Sequence, residues 1–543
     1  MMAITPHDTL ESKKKQILVS LTLLYLLIVF ISAWLSDDSY ITFRTIDNFI
    51  NGHGLTWNVD ERVQAYTHPL WIFILSPLCF MTREIYFTSI IFSIIISVGV
   101  VLLLLFKLSN SVVNSIIIGF ILILSKAFID YSTSGLENPL LHMLSVIFFI
   151  IYFGNETEKK LLFLSIIASL ATLTRPDIIL LFLPALVVAY LNGDKLKGIL
   201  TIIMGFLPFI LWELFSLFYY GFPFPNTAYA KLNTGIPQDE LMLQGLYYFL
   251  NSFLLDPVTP IIIIAALIFP IITKKKNLLP LSIGIVLYLF YIIIIGGDFM
   301  GGRFFTTPLI CSTIIISTVN FKSLHVAISS IVAVLILGFL SPKPTILSNQ
   351  YYGLGPKTVK ALRFGPLIVN MYHGVVDERF WYYENTGLLN NIFETKIKSH
   401  PWAKDGIELK KRGNQVVVRK TIGLLGYYAG PGIHIIDPLA LSDPLLSKIH
   451  STEYWRIQKY RFNSTKKWRI GHFARKIPNG YIESIKAKDN LLEDKDLKEY
   501  YDKILSVIRG NLFDTERMIE IININLGKYD YLLDSYNSKL KDN

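Results

Sequence analysis

Acidic and basic side chains recur at the ends of apolar segments, and they are the residues whose types could do chemistry. Asp37 and Asp38 directly follow the first apolar run. Two adjacent carboxylates can hold a metal ion, or one of them can act as a general base. The alternative is a solvated helix end that marks the boundary with water. Tyr40, Phe43 and Arg44 continue at helical spacing, which favours a short amphipathic helix lying on a membrane surface.

Three cations lie in separate loops between apolar segments: Arg175, Lys231 and Arg303. Arginine presents a fixed fork of donors that suits a phosphate or an acid. Gly301 and Gly302 precede Arg303, and a predicted helix begins at Phe304, so backbone amides and a guanidinium could surround an anion there. The alternatives are a snorkelling side chain, a local ion pair or a solvated loop residue.

Two further loop residues have open interpretations. His68, before Pro69, could be a base, a metal ligand or a plain loop residue, and Glu137 could merely complement the dipole of the helix that it begins.

The sequence contains no motif of a nucleotide-binding loop, zinc protease or hydrolase elbow. If the chain is an enzyme with its site in these loops, its substrate must already be activated, because no ATP-binding motif is present. A lipid-phosphate-linked sugar fits, with its phosphate at the cations, its tail in the bilayer and a carboxylate deprotonating the acceptor hydroxyl.

The composition shows which elements must position these residues. Of 543 residues, 52% are hydrophobic and only 17% are charged, which indicates a membrane protein and excludes disordered, collagen-like and disulfide-rich classes. The formal net charge is +10. In a membrane protein, this excess of Lys and Arg is expected in cytoplasmic loops and in contact with anionic lipid, rather than in contact with nucleic acid. The two cysteines, Cys79 and Cys311, lie in apolar stretches, so no disulfide framework is expected.

The chain divides by composition into a membrane domain, 1–341, and a water-facing domain, 342–543. About 11 transmembrane helices are predicted in the first, at 16–35, 86–107, 112–131, 138–153, 161–173, 177–191, 198–220, 258–273, 278–295, 304–319 and 324–341. In the second, strands are predicted at 415–419 and 433–436 and helices at 491–508 and 512–526, with a turn at 426–432. The predicted fold class is therefore a polytopic α-helical membrane protein with a C-terminal mixed α/β domain.

Lysine-rich loops fix the predicted sidedness, because Lys and Arg gather on the cytoplasmic side. Segment 69–82 is taken not to cross the membrane, and the loops between the eleven predicted helices are assigned alternately to the two sides. Every lysine cluster then lies on the cytoplasmic side: Lys13 to Lys15, Lys107, Lys159 and Lys160, Lys195 and Lys197, Lys274 to Lys276, and Lys322. The first outer loop is then 36–85 and carries surface helices. The C-terminal domain becomes extracytoplasmic, and the acidic and basic loop residues collect on the outer face.

The ordered loop motifs resemble the GT-C superfamily of polyprenyl-phosphate-dependent glycosyltransferases, and within it the bacterial terminal arabinofuranosyltransferase group. The similar segments are Asp-Asp-Ser-Tyr-Ile-Thr-Phe-Arg at 37–44, Asn-Gly-His-Gly-Leu at 51–55, Tyr-Thr-His-Pro-Leu-Trp at 66–71, Ser-Gly-Leu-Glu at 134–137, Thr-Arg-Pro-Asp at 174–177, Pro-Asn-Thr-Ala-Tyr-Ala-Lys at 225–231 and Gly-Gly-Asp-Phe-Met-Gly-Gly-Arg-Phe at 296–304. The resemblance continues in the C-terminal domain at 377–379, 426–431, 436–437 and 471–478.

The resemblance implies a fold, a reaction and a set of site residues. Asp37 and Asp38 match the acidic pair of the superfamily, one of them being the expected catalytic base. The candidates for binding the donor phosphate are Arg175, Lys231, Arg303 and His68, although a small or amide residue is expected at position 68. The candidates for other substrate contacts are Arg44, Tyr66, Glu137, Asn226 and Asp298. No cofactor is required, and a divalent cation is compatible with the residues.

The predicted function is transfer of arabinofuranose from a polyprenyl-phosphate donor to an acceptor hydroxyl, at the outer face of a bacterial inner membrane. The acceptor stays open between a surface glycan, lipopolysaccharide and a protein, because the Ile- and Lys-rich composition differs from that of mycobacterial relatives. One alternative is a transporter or flippase of a lipid-linked sugar, which predicts charges midway along helices; only Glu213 fits that pattern. The other alternative is a glycan-binding membrane protein without catalysis.

Overall fold

The computed structural model describes residues 6–321, 323–347, 371–451 and 468–541, and these residues are mostly α-helical. They form two compact units that alternate along the chain. The first unit comprises Met1–Ser36, Tyr86–Leu207 and Gln238–Glu394, and the second comprises Asp37–Ile85, Pro208–Pro237 and Thr395–Asn543. This division follows contacts, whereas the predicted boundary after residue 341 concerns which segments face lipid and which face water. The predicted domains therefore stay a prediction.

The first unit is built from long apolar helices. Its α-helices are Pro6–Ser32, Tyr86–Leu102, Val112–Leu124, Lys126–Asp130, Asn138–Phe153, Lys160–Thr174, Ile179–Leu191, Lys195–Gly205, Gln238–Leu255, Val258–Thr273, Leu279–Ile294, Thr306–Ser317, Leu324–Leu340, Glu378–Thr386 and Leu388–Asn391. A π-helical turn, Leu103–Leu108, continues the second of these helices, and short 3-10 turns occur at Pro176–Ile178, Lys276–Leu278, Arg303–Phe305 and Thr345–Leu347. A two-residue antiparallel pair joins Met371–Tyr372 to Val375–Val376.

The second unit combines shorter helices with one parallel strand pair. Its α-helices are Asp37–Ile50, Pro69–Thr82, Asn226–Leu232, Pro401–Arg412, Leu424–Ala429, Tyr481–Ala487, Lys495–Arg509, Thr515–Asn525 and Asp530–Lys541, together with all but the first residue of Leu207–Tyr219; 3-10 turns occur at Lys396–Ser399 and Leu446–Lys448. Strand Gln415–Val418 pairs in parallel with Ile433–Ile436, and Gln415 lies opposite Ile433. The predicted strands and helices of the C-terminal segment are thus present. The turn predicted at 426–432 is wrong in its first part, because Leu424–Ala429 is helical.

All eleven predicted apolar segments contain a helix, and two of them, Asn138–Phe153 and Val258–Thr273, agree in both bounds. The predicted segment 112–131 is broken at Ser125, whose hydroxyl accepts a hydrogen bond from the Phe128 amide and so begins a new short helix. The segment 198–220 is broken after Gly205. Pro208 contributes to this break because it has no amide hydrogen for a continuous helix.

Large apolar side chains on the outer faces of the first unit fit a membrane protein. Leu23, Leu27 and Phe30 are exposed along one face of Pro6–Ser32, and Ile264 and Ile268 along one face of Val258–Thr273. Such rows would be costly in water, and lipid tails are their natural surroundings.

By length and composition, three helical stretches of the described residues could cross a membrane: Ser12–Ser32, Tyr86–Leu108 and Lys276–Ile294. Two bent helix pairs, one made of Lys195–Gly205 and Leu207–Tyr219 and the other of Gln238–Leu255 and Val258–Thr273, would raise the number to five. The remaining apolar helices are shorter, so the number of about 11 spans stays a prediction.

Besides the short helices Glu378–Thr386 and Leu388–Asn391, the sequence does not predict the long helix Gln238–Leu255 of the first unit. Its apolar side chains Leu243, Leu246 and Leu250 are exposed, whereas Gln244 and its neighbours on the opposite face are buried. The Gln244 amide donates to the His373 carbonyl at 2.7 Å. The polar face of this helix is therefore turned inward, which is the reverse of a surface helix in water.

Hydrogen bonds join several loops of the first unit in two sets, and the side of the membrane that each set faces stays a prediction. In one set, Lys275 Nζ donates to the Thr318 carbonyl at 2.7 Å, and the Asn114 amide donates to the Ser317 carbonyl at 2.6 Å. In the other set, the Ser36 amide donates to the Ser134 carbonyl at 2.9 Å. The first set contains loops predicted to be cytoplasmic, and the second contains loops predicted to be outside. Lys322 lies outside the described residues.

Candidate functional site

The acidic pair begins a helix of the second unit. Asp37 and Asp38 form the first turn of Asp37–Ile50, where carboxylates complement the helix dipole. Asp37 is buried, and its Oδ1 accepts a hydrogen bond of 2.7 Å from the Leu424 amide. Burial raises the pKa of Asp37 to about 7, and the neighbouring charge of Asp38 acts in the same direction. A carboxyl group with such a pKa can accept a proton near neutral pH.

Glycine at position 423 allows the C-terminal segment to approach Asp37. A Cβ added at Gly423 would lie 2.0 Å from the Asp37 carbonyl oxygen, so any larger residue would force the two segments apart. The Asp37 environment therefore depends on two segments nearly 400 residues apart in the chain. Asp38, in contrast, is only partly buried.

Arg44, predicted to contact substrate, is engaged in hydrogen bonds within the second unit, and its contact with substrate stays a prediction. Its side chain is buried, and its guanidinium donates to the carbonyl oxygens of Trp57, Gly426 and Ile433, each at 2.8 Å. The same guanidinium lies 4.1 Å from the centre of the Trp57 ring. These hydrogen bonds join the helix Asp37–Ile50 to the C-terminal segment, which favours a role in holding the fold.

Asn226 and Tyr66 are also engaged within the second unit. The Asn226 amide donates to the carbonyl oxygens of Ala440 and Asp443, at 2.9 and 3.0 Å, and Tyr66 Oη is 2.8 Å from Tyr220 Oη. Both predicted substrate contacts are buried. These positions favour a role in holding the fold, and their contact with substrate stays a prediction.

His68 and Lys231 differ in their surroundings. His68 Nε2 lies 2.7 Å from Thr42 Oγ1, and Thr42 is on the helix that begins with the acidic pair. Lys231 is exposed near the end of helix Asn226–Leu232. Of the predicted donor-phosphate residues, Lys231 is therefore the most accessible to a ligand from solution.

The first unit brings four other predicted residues together from three loops. Arg303 Nη2 donates to both oxygens of Glu137, at 2.8 and 3.1 Å, and Arg303 Nη1 lies 3.5 Å from Asp298 Oδ2. Arg175 Nη1 lies 3.7 Å from Glu137 Oε1 and pairs with both oxygens of Asp177. Glu137 is thus the centre of a buried ion-pair cluster rather than a simple partner for a helix dipole.

The charge balance of this cluster bears on its chemistry. Three carboxylates, those of Glu137, Asp177 and Asp298, face the two guanidiniums of Arg175 and Arg303. A phosphate would therefore have to share these guanidiniums with carboxylates that already hold them. Hydrogen bonds from Arg175 to Asp177 and from Arg303 to Glu137 also fix the orientation of both arginines.

A second buried ion-pair cluster of the first unit was not predicted. Lys126 Nζ pairs with Asp130 and, at 3.1 Å, with Asp377, while Lys343 Nζ pairs with Asp377 at 2.7 Å. Arg379 Nη1 pairs with Asp130 at 3.0 Å. The sequence gives only a partial signal for this cluster. The motif at 377–379 belongs to the resemblance, but Lys126 lies inside an apolar run, and its partner Asp377 is 251 residues away in the chain.

A metal site was compatible with the sequence. Within the described residues, no group of three or more His, Cys, Asp or Glu side chains is arranged to hold a metal ion.

The first unit is rich in helices, with apolar outer faces and buried charged clusters, which fits a membrane protein. No protein-family model matches the chain, and no solved structure matches it. The chain is similar to the terminal beta-(1->2)-arabinofuranosyltransferase of Mycobacterium tuberculosis (strain ATCC 25618 / H37Rv), with 26% identity over 239 residues, which cover 40% of this chain and 37% of that protein.

A second relative has the same name in Corynebacterium glutamicum (strain ATCC 13032). It is 24% identical over 343 residues, which cover 53% of this chain and 48% of that protein. The chain therefore spans about half the length of these curated relatives, or less. The predicted resemblance to the terminal arabinofuranosyltransferase group is confirmed by both similarities.

Proposed function

We propose that the chain is a membrane glycosyltransferase that moves arabinofuranose from a polyprenyl-phosphate donor to an acceptor hydroxyl. Both similar proteins are named as arabinofuranosyltransferases, which supports the reaction class. The exposed apolar helix faces support a membrane location, where the prenyl chain of the donor could lie. The acceptor is a glycan, lipopolysaccharide or a protein.

The observation that carries the proposal is the buried Asp37 carboxyl, with its pKa of about 7. As the general base, Asp37 takes the proton of the acceptor hydroxyl. The acceptor oxygen then bonds to the anomeric carbon of arabinofuranose while the bond from that carbon to the phosphate oxygen breaks. Prenyl phosphate leaves with the electron pair. Asp38, partly buried beside Asp37, is the second candidate for this role.

Cations stabilise the charge that develops on the leaving phosphate. Lys231, Arg175 and Arg303 stay the candidates for this role. Removing either arginine would leave a buried carboxylate unpaired and so would also destabilise the first unit. Lys231 is exposed, so Lys231→Met is the variant that tests a phosphate contact without that complication.

The proposed location is the outer face of a bacterial inner membrane, with about 11 spans and residues 342–543 extracytoplasmic. The lysine clusters support this assignment, because one alternating arrangement puts all of them on the cytoplasmic side. The loops that carry Glu137, Arg175 and Arg303 then face outward, as a lipid-linked donor on the outer leaflet requires.

The test uses the full chain in proteoliposomes with radiolabelled polyprenyl-phosphate arabinofuranose and a mixture of candidate acceptors. We expect label to move to an acceptor, and no transfer from a nucleotide-linked arabinose added as control. Movement of the intact lipid-linked sugar across the bilayer, without transfer to any acceptor, would instead identify a flippase.

A further inference from the structure

A cavity of about 220 Å³ lies in the second unit, apart from the acidic pair. Asp47 and Asn51 line it from the end of helix Asp37–Ile50 and the turn after it. Cys79 and Arg83 line it from the end of helix Pro69–Thr82, and Tyr427 from the C-terminal segment. In both helical segments the lining residues are four apart, so they share one face. The cavity is thus built where two helix ends meet an aromatic ring.

The chemistry of the lining suits sugar hydroxyls. Asp47 presents a carboxylate that accepts hydrogen bonds, Asn51 presents an amide that both donates and accepts, and Arg83 presents donors. The Asn51 amide is already directed at Asp47, donating to its carbonyl at 2.8 Å and to its Oδ1 at 3.1 Å. The Tyr427 ring, fixed by an edge contact with Tyr40 at 5.4 Å, supplies an apolar surface on which a sugar ring can lie.

The charge of the lining residues and the volume of the cavity limit the kinds of ligand that it can bind. The lining holds two carboxylates, Asp47 and Glu84, against the single guanidinium of Arg83, so it disfavours a phosphate group. The volume of about 220 Å³ has room for a sugar ring.

The position along the first helix separates this cavity from the proposed reaction centre. Asp47 follows Asp37 by ten residues, a rise of about 15 Å along a helix. One monosaccharide cannot contact both residues, but an oligosaccharide can. We propose that the cavity binds an inner residue of a neutral glycan acceptor while its terminal hydroxyl is presented to Asp37. This inference rests on the proposed function and names the class of acceptor that it uses.

The experiment compares a neutral arabinofuranosyl hexasaccharide with the corresponding disaccharide as acceptors for the full-length protein in nanodiscs. Asn51→Ala removes the amide, and Asn51→Trp fills the cavity from its exposed rim. His53→Ala is the matched control, since His53 is exposed two residues further on and does not line the cavity. We expect both Asn51 variants to raise the KM for the hexasaccharide by about tenfold, the effect of one lost favourable contact, with kcat unchanged.

The disaccharide separates the possible outcomes, because it is too short to reach the cavity and its KM should not change in any variant. Direct binding of the hexasaccharide, measured by saturation-transfer NMR, should weaken in the Asn51 variants and not in His53→Ala. Equal KM values and equal binding in all variants, with transfer intact, would overturn the acceptor subsite and leave the proposed function standing. Absence of transfer to either acceptor by the wild-type protein would refute the proposed function and, with it, this inference.

Discussion

At the scale of single residues, the partners of a buried charged group indicate whether that group is held in an ion pair or can take up a proton. The Arg44 guanidinium donates hydrogen bonds to three carbonyl oxygens, and the Glu137 carboxylate pairs with the guanidiniums of Arg175 and Arg303. Asp37 is buried with a backbone amide as its hydrogen-bond partner, and its pKa is raised to about 7 by that burial. A buried carboxyl without a paired cation is costly to the fold when ionised, which is a common feature of catalytic groups.

The raised pKa of Asp37 predicts a pH-dependent loss of stability. The unfolded carboxyl ionises near pH 4, whereas the folded one stays protonated until about pH 7, so the contribution of this group is full below pH 4 and is lost as the pH rises through 7. Asp37→Asn keeps an acceptor for the Leu424 amide and removes this loss. We expect the variant to gain roughly 1–3 kcal/mol over wild type between pH 4 and pH 8.

Denaturant unfolding of the detergent-purified protein at the two pH values measures this effect. Asp534→Asn, at an exposed position of the same unit, serves as control and should leave the pH dependence unchanged. An Asp37→Asn variant whose pH dependence equals that of wild type would contradict the assigned burial cost.

Arg44 provides a second prediction at this scale. Arg44→Met leaves three buried carbonyl oxygens without their donor, so we expect the free energy of unfolding to fall by about 2–4 kcal/mol. The exposed Arg412 is the matched control, and Arg412→Met should change stability little. A folded Arg44→Met protein of normal stability with a raised KM would restore the substrate contact predicted from the sequence.

At the scale of helices, the sequence predicts most of the long helices of the first unit, and it misses Gln238–Leu255 for an identifiable reason. Continuous apolar runs such as 138–153 and 258–273 have no other stable arrangement, so their bounds could be predicted. Gln238–Leu255 mixes polar and apolar residues, so its sequence does not predict a transmembrane helix. Its polar face is buried and its apolar face is exposed, a pattern that is recognisable only once the surroundings are known to be apolar.

The same limit applies to the candidate site. The residue types and the loops that carry them could be predicted, because charges at the ends of apolar helices need a reason. The ion-pair partners of these residues could not be predicted. Arg303 and Glu137 are 166 residues apart in the chain, and no local spacing encodes their contact. Arg44 was assigned to substrate for the same reason, since its partners at Gly426 and Ile433 come from the C-terminal segment.

Close helix packing supplies the prediction at this scale. A Cβ added at Gly284 would lie 2.2 Å from the Leu181 carbonyl oxygen, so helices Leu279–Ile294 and Ile179–Leu191 meet only because position 284 has no side chain. We expect Gly284→Ala to destabilise the protein by about 1–3 kcal/mol. Gly193→Ala is the control, because the nearest atom there is 3.8 Å away. Equal melting temperatures for the two variants, measured in detergent, would contradict this packing.

At the scale of the whole molecule, the main expectation concerns which loops face which side of the membrane. Within the first unit, contacts already group Lys275 with Thr318 and Asn114 with Ser317, and separately Arg175 and Arg303 with Glu137. The alternation inferred from the lysine clusters stays a prediction. The side that each group faces is a property of the membrane-inserted protein and is open to direct labelling.

Cysteine labelling in intact cells tests that orientation. With Cys79 and Cys311 replaced, a cysteine at position 277 should resist an impermeant thiol reagent, because Asn277 is in a loop predicted to be cytoplasmic. A cysteine at position 233 should react, because Asn233 is in a loop predicted to be outside. Permeabilised cells are the control in which both should react. The reverse labelling pattern in intact cells would invert the predicted topology.

The most direct measurement of the central claim is the rate of arabinofuranose transfer from purified polyprenyl-phosphate arabinofuranose by wild type, Asp37→Asn and Asp38→Asn. Loss of a general base typically lowers a rate by about 10²- to 10⁴-fold. We predict a loss of that size in at least one of the two variants, with folding retained, and a wild-type kcat/KM that rises as the pH increases through about 7, the pKa of Asp37. Full activity in both variants, across the same pH range, would contradict the role of the acidic pair.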